Sequence, residues 1–291
     1  MLIDCHVHSM GNEIVDDVTK AMESEGVSKA IVFSPYPWGK GEDPNPVGFM
    51  GFSNRGVTET QQLKVIKFIS KIQSEAPDKI IAFAWIEPRL KNVIRILEDA
   101  VTKYECQGIK LMPDHFYPYD QKFFSFYEKI QELGVPIIFH SGILSDNKDS
   151  SRFCKPVFYE VMLNFPRIKF ALAHMSWPWV DECIAVYERF MSRLWTTPEA
   201  EKIDKMQMYI DLTPGTPKFY RKKALETALA MGAENHMMFG TDSHASDFNP
   251  DWGGVRRILE IDRKIIREEL GYPEEVMEKI CYKNAERFLK R

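Results

Sequence analysis

The chain has 291 residues, 44% of them apolar and 27% charged, ordinary values for a globular fold and room for one large domain or two small ones. A net charge of -4 leaves no basic surface for general nucleic-acid binding, and no apolar run is long enough to span a membrane. The start lacks a basic segment followed by an apolar one, so no secretion signal is read, and five scattered cysteines (Cys5, Cys106, Cys154, Cys183, Cys281) point to reduced thiols in a cytoplasmic protein.

Residues 1–8, MLIDCHVH, read as a strand. Strand alternation predicts Asp4, His6 and His8 on one face and Ile3, Cys5 and Val7 on the other. Two imidazoles two residues apart on one strand face can bind one metal ion. An exposed histidine pair near the N-terminus would have the same spelling, so the other ligands must come from elsewhere. Residues 14–24 carry Val15, Val18 and Met22 at helical spacing, and 27–34 (VSKAIVFS) is a short β-branched run ended by Pro35. Residues 35–56, rich in Gly, Pro and aromatics, form a long loop of the kind that serves as a lid or binding loop. Thr58 and Gln61 form a capping-box pair that opens a helix to about residue 75.

The alternation then repeats. Strands are predicted at 80–86, 107–112, 135–140, 168–174, 208–213 and 237–242. Helices are predicted at 93–103, from a cap at Asp120 to about 133, at 155–164, 178–194 and 218–231. Two or three more finish the chain, the last at 282–290. Eight strands alternating with helices demand a parallel sheet, and eight units in one chain of this length fit an α/β closed (β/α)8 TIM barrel, a single domain over 1–291 with extra C-terminal helices. An open doubly wound sheet would want a Gly-rich phosphate loop after the first strand, and Ser9-Met10-Gly11-Asn12 is not one.

Barrel active sites lie at the C-terminal ends of the strands. There the sequence puts His6 and His8 on the first strand, Lys110 near the end of the fourth, His140 on the fifth, His174 on the sixth and Asp242 on the eighth. Each follows an apolar run. Burying several imidazoles and a carboxylate costs free energy unless each is paired or bound to metal, so core packing explains this pattern poorly.

The pattern resembles the amidohydrolase superfamily: His-x-His on the first strand, His on the fifth and sixth, Asp on the eighth. The closer resemblance is to its amidohydrolase-related branch, which includes aminocarboxymuconate-semialdehyde-type decarboxylases, lactonases and other hydrolases; the ending ICYKNAERFL is similar to that branch's terminal helix. The resemblance implies one divalent metal on His6, His8, His140 and Asp242, zinc by ligand type with manganese as the alternative. It further implies that Asp242 accepts a proton from a metal-activated water and that His174 holds or protonates the substrate oxygen. Lys110 is read as a plain ammonium that orients a substrate anion or pairs with Asp4 or Asp242; a carboxylated Lys110 bridging two metals is the alternative. A homodimer is the family expectation.

The remaining candidates sort by position. His115 lies in the aromatic loop after the fourth strand, suited to substrate contact or to a simple loop hydrogen bond. Arg55 is a candidate carboxylate clamp, with a solvated surface arginine as the other reading. Trp177 either floors the pocket or packs under a loop, and His244 is placed to orient Asp242. His236, before the eighth strand, is read as structural. The expected function is metal-dependent hydrolysis of a lactone, ester or amide, with non-oxidative decarboxylation of an unsaturated or aromatic carboxylic acid as the alternative. A binding protein on a silent barrel is the third reading, which filled metal and acid/base positions do not favour.

Overall fold

Short apolar runs ended by turn-formers become the staves of a barrel. The computed structural model describes residues 1–37, 57–144, 151–246, 248 and 254–290. Its strands are β1 (Ile3–His8), β2 (Lys29–Phe33), β3 (Ile80–Trp85), β4 (Gly108–Leu111), β5 (Ile137–Phe139), β6 (Phe170–Leu172), β7 (Met208–Asp211), β8 (Met237–Met238) and β9 (Ser243–His244). All pair in parallel, in the order β8-β7-β6-β5-β4-β3-β2-β1-β9. The two short strands β8 and β9 are pieces of one run, so the eighth stave is interrupted and the sheet meets itself. Cys5 N donates to Phe239 O at 2.9 Å, Asp242 N to His6 O at 2.9 Å and Ala245 N to His8 O at 2.8 Å, which sews this run to β1. The fold is a (β/α)8 barrel in a single domain.

The helices are α1 (Val15–Glu25), α2 (Glu59–Glu75), α3 (Val93–Glu98), α4 (Phe124–Leu133), α5 (Val180–Ser192), α6 (Glu199–Lys205), α7 (Lys218–Ala230), α8 (Val255–Arg263), α9 (Glu274–Glu278) and α10 (Asn284–Leu289). The Thr58–Gln61 capping box forms as predicted, with both reciprocal bonds present. The predicted helix at 155–164 is instead a tighter 3₁₀ helix, Pro156–Asn164, and α6 is an addition to the predicted set. No helix among the described residues is long and apolar enough to cross a membrane.

Two apolar layers result. Val7, Ile109 and Phe139 face outward and pack with helix residues such as Val18, Ile66, Ile96 and Ile130. Ile3, Cys5, Ile31, Ile81, Phe83, Tyr209 and Met238 fill the barrel, with Ala285 and Phe288 of α10 added to them. Lys169, just before β6, donates to the carbonyls of Arg287 and Lys290 at 2.6 and 2.8 Å, so α10 is tied across the N-terminal end of the barrel as a plug.

The inner layer overturns one expectation. Ile3 and Cys5 face the barrel interior while Val7 joins the outer layer, so the predicted division of β1 holds for His6, Val7 and His8 and fails for Ile3 and Cys5. The β1–β2 register shifts between Asp4 and Val7. Such a bulge adds a residue to one strand and reverses the alternation beyond it. Asp4 is consequently turned to Thr241, whose N and Oγ1 donate to it at 3.0 and 2.6 Å.

Candidate metal centre

His6 and His8, two residues apart on β1, turn their rings to the same side. Their Nε2 atoms are 3.2 Å apart, and both face Asp242 Oδ1, at 3.2 Å from His6 and 3.0 Å from His8. Asp242 reaches this position from the interrupted eighth stave with φ +59°, in the left-handed region. Gly240 permits the approach, since a Cβ there would lie 2.7 Å from Thr213 Cγ2 and 3.1 Å from His6 Cβ. Burial raises the Asp242 carboxyl, but His6 and His174 outweigh it and hold the group well below the usual carboxylate range.

His6 has its tautomer set from behind. Its Nδ1 lies 2.5 Å from Asp211 Oδ2, at the end of β7. Nδ1–H donates to that carboxylate, and Nε2 keeps a bare lone pair toward the cluster. Asp211 Oδ1 accepts from Thr213 N at 2.8 Å. Both Asp211 and His6 are buried, and burial raises the carboxyl of the one and lowers the imidazole of the other. Asp211 was not among the residues singled out from the sequence. Its signal was the one used elsewhere, a polar residue closing the apolar run MYID.

His174 follows β6 in a turn of three successive left-handed residues, His174, Met175 and Ser176, at φ +60°, +48° and +57°. Its Nδ1 is 2.5 Å from Thr213 Oγ1 and 3.9 Å from Asp242 Oδ2. The ring rests on Gly215, where a Cβ would fall 2.5 Å from ring atoms. The ligating atoms of His6, His174 and Asp242 all lie within 4.8 Å of one another. His140 follows β5, its ring centroid 5.0 Å from that of His174. Its Nε2 is buried and has no hydrogen-bond partner among the described residues. Burial lowers both rings.

Lys110 lies one residue before the end of β4, with Nζ 3.4 Å from His6 Nε2, 4.5 Å from the Phe33 ring centroid and 5.9 Å from that of Trp85. Burial lowers its ammonium to about 8, against the pull of Asp211 and Asp242. Asp4, whose carboxyl burial raises to about 7, is engaged elsewhere with Thr241.

The other candidates lie apart from this cluster or beside it. His115 bridges two carboxylates: Asp114 on Nδ1 and Glu87 on Nε2, the latter at 3.1 Å. Burial would lower it, and the two carboxylates raise it above the ordinary value. Glu87, which also accepts from Arg89 Nε at 2.8 Å, is pulled to about 2 by these hydrogen bonds despite burial. His115 therefore joins the exits of β3 and β4 in a neutralised ionic group. Trp177 is half-buried against the outer core, and its carbonyl accepts from Ile143 N. His244 pairs with His8 in the β1–β9 register. Arg55 lies outside the described residues.

The donor set fits a divalent ion. The Nε2 of His6 faces a carboxylate oxygen and a second imidazole, each at 3.2 Å, and those two stand 3.0 Å from each other. Lone pairs so placed repel unless a cation lies between them, and two ligand atoms each ~2.1 Å from a common ion stand ~3.0–3.4 Å apart. The Nε2 of His140 is a further buried nitrogen with no hydrogen-bond partner among the described residues. Together with the Asp211 carboxylate behind His6, this is the carboxylate–histidine arrangement that orients ligating imidazoles.

The family model described as Amidohydrolase matches residues 3–291. The chain belongs to the amidohydrolase family. It is accordingly an enzyme of the amidohydrolase superfamily. No curated protein matches it in sequence. Among solved structures it is similar to 2,6-dihydroxybenzoate decarboxylase from Rhizobium, at 14% identity and a TM-score of 0.65, over 99% of this chain and 98% of that one. A probable 2-pyrone-4,6-dicarboxylic acid hydrolase from Acinetobacter baumannii, with citric acid bound, is similar at 10% identity and 0.64, over 99% and 98%. So is 5-carboxyvanillate decarboxylase from Novosphingobium aromaticivorans complexed with manganese, at 11% identity and 0.65, over 100% and 96%. At these identities the likeness is one of fold, and it extends the amidohydrolase barrel over the whole chain.

Proposed function

We propose that this amidohydrolase is a metal-dependent hydrolase of a small carbonyl substrate, a lactone, ester or amide. The observation that carries the reading is the convergence of His6, His8 and Asp242 at 3.0–3.2 Å, with His174 and Lys110 at its edge. His6, His8, His140 and Asp242 are the proposed ligands, with zinc the ion suggested by the donor set and manganese the alternative. A divalent ion bound there supplies Lewis acidity and a water acidified into the neutral range. Asp242, an ionised carboxylate, takes the proton of the attacking water and returns it to the leaving group. His174, neutral in its buried pocket and held by Thr213, steadies the substrate oxygen. Lys110, an ammonium among aromatic walls, orients an anionic part of the substrate.

Non-oxidative decarboxylation is the second reading, and Lys110 favours it: a buried cation over Phe33 and near Trp85 suits a carboxylate carried on a flat unsaturated system. The test is elemental mass spectrometry of the purified protein, then a panel of lactones, esters, amides and aromatic or unsaturated acids. About one ion per chain is expected, with hydrolysis lost on chelation and in Asp242→Asn. Carbon dioxide release from the acids, without hydrolysis, would select the second reading. No metal after supplementation would sink both. A homodimer, the family expectation, is checked by light scattering on the same sample.

A further inference from the structure

The segment leaving β7 holds both working rings. Asp211 fixes His6 through Nδ1, Thr213 meets His174 Nδ1 at 2.5 Å, Gly215 lies under the His174 ring, and Thr216 Oγ1 donates to the His174 carbonyl at 2.6 Å. Behind this segment lies a fully buried ion pair that the proposed chemistry does not use. Arg221 of α7 grips Asp262 of α8 with both arms of its fork, Nε to Oδ1 at 2.8 Å and Nη2 to Oδ2 at 2.7 Å. Its remaining arm, Nη1, donates to the Thr213 carbonyl at 3.2 Å. An ion pair is an expensive way to join two helices, because apolar side chains of similar volume usually hold such a contact as well or better. What apolar side chains cannot supply is a donor of fixed direction, and a guanidinium clamped by a carboxylate is one.

We propose that the Arg221–Asp262 pair is a positioning device: by pinning the Thr213 carbonyl it fixes the β7 exit and so the orientation and tautomer of His174. The inference rests on the reading of His174 as the group that meets the substrate oxygen. The strained His174–Ser176 turn needs such bracing, since three successive left-handed non-glycine residues persist only where their surroundings enforce them.

The test is the double variant Arg221→Met/Asp262→Leu in the full chain supplemented with Zn²⁺. The native protein should show one His174 tautomer by imidazole ¹⁵N NMR, assigned by its loss in His174→Asn. In the double variant, with a thermal midpoint close to the native one, the signal should split or exchange between tautomers. Thr213→Val should reproduce that change. Once a substrate is known, kcat should fall roughly 10- to 100-fold with KM little altered. A folded double variant with the native His174 signal would overturn the proposal. If that variant does not fold, Arg221→Lys, which keeps the charge pair and surrenders the rigid fork, gives the same two readings. The NMR signature needs no turnover, so a silent substrate panel would count against the proposed reaction and leave this inference standing.

Discussion

Asp211 offers its two oxygens in two directions, one to the His6 ring and one to the Thr213 amide. Asp211→Asn keeps the shape and removes the negative charge that makes Nε2 a good donor. Metal affinity measured by chelator competition should fall about 10- to 100-fold, while the metal-free protein keeps its native spectrum. His236 shows the other fate of a buried imidazole. Its Nδ1 accepts from the Tyr187 hydroxyl at 2.8 Å and its Nε2–H donates to the Ile203 carbonyl at 3.2 Å. Burial lowers it from 6.5 to about 4. Between those values the unfolded chain binds the extra proton, so the stability of the neutral ring is complete above pH 6.5 and is lost as pH falls toward 4. The contribution lost between pH 7 and pH 5 is roughly 2 kcal/mol, and His236→Gln should flatten the native protein's loss of urea resistance over that interval. The sequence marked His236 as structural from its place before a strand, and the same positional rule marked His6, His174 and Asp242. It passed over Asp211 because one carboxylate in MYID looks like any strand-end polar residue until the His6 ring is seen opposite.

At the level of elements, local chemistry was legible wherever it was local. Thr58 and Gln61 wrote the start of α2 into four residues, and Thr58→Ala should cost about 1 kcal/mol in urea denaturation. α2 in turn carries Gln62, whose side chain donates to Trp85 O at 2.7 Å and accepts from Glu87 N at 2.8 Å, which fixes the exit of β3. The apolar runs of all eight staves were legible for the same reason. The bulge in β1 was not, because nothing in DCHVH distinguishes a regular strand from one with an added residue; the register against β2 decides it. Nor was the winding of Pro156–Asn164, whose apolar spacing suits an α-helix and a 3₁₀ helix alike over so few turns.

The whole barrel is asymmetric along its axis. One end is shut by apolar side chains of α10, where Phe288 stands 5.1 Å from the Tyr209 ring and 6.5 Å from that of Phe83. The other end gathers His6, His8, His140, His174, Asp211 and Asp242, with Lys110 at the edge. Phe288→Ala should open a cavity in the plug and lower unfolding stability by about 3–5 kcal/mol, read by calorimetry, without displacing the ring cluster at the opposite end. The seam between β1 and the interrupted eighth stave has a consequence of its own. His8 and Asp242 are 234 positions apart and meet across that seam. Joining a loop of that length carries an entropic cost on the order of 5 kcal/mol, and the two halves of the ligand set exist as a set only once it has been met. A half-assembled ring is thus a chain with no pocket at all. Any ion or substrate that settles there grips the shut ring alone, like a clasp on a bracelet, and its binding free energy is added to whatever else keeps the circle closed.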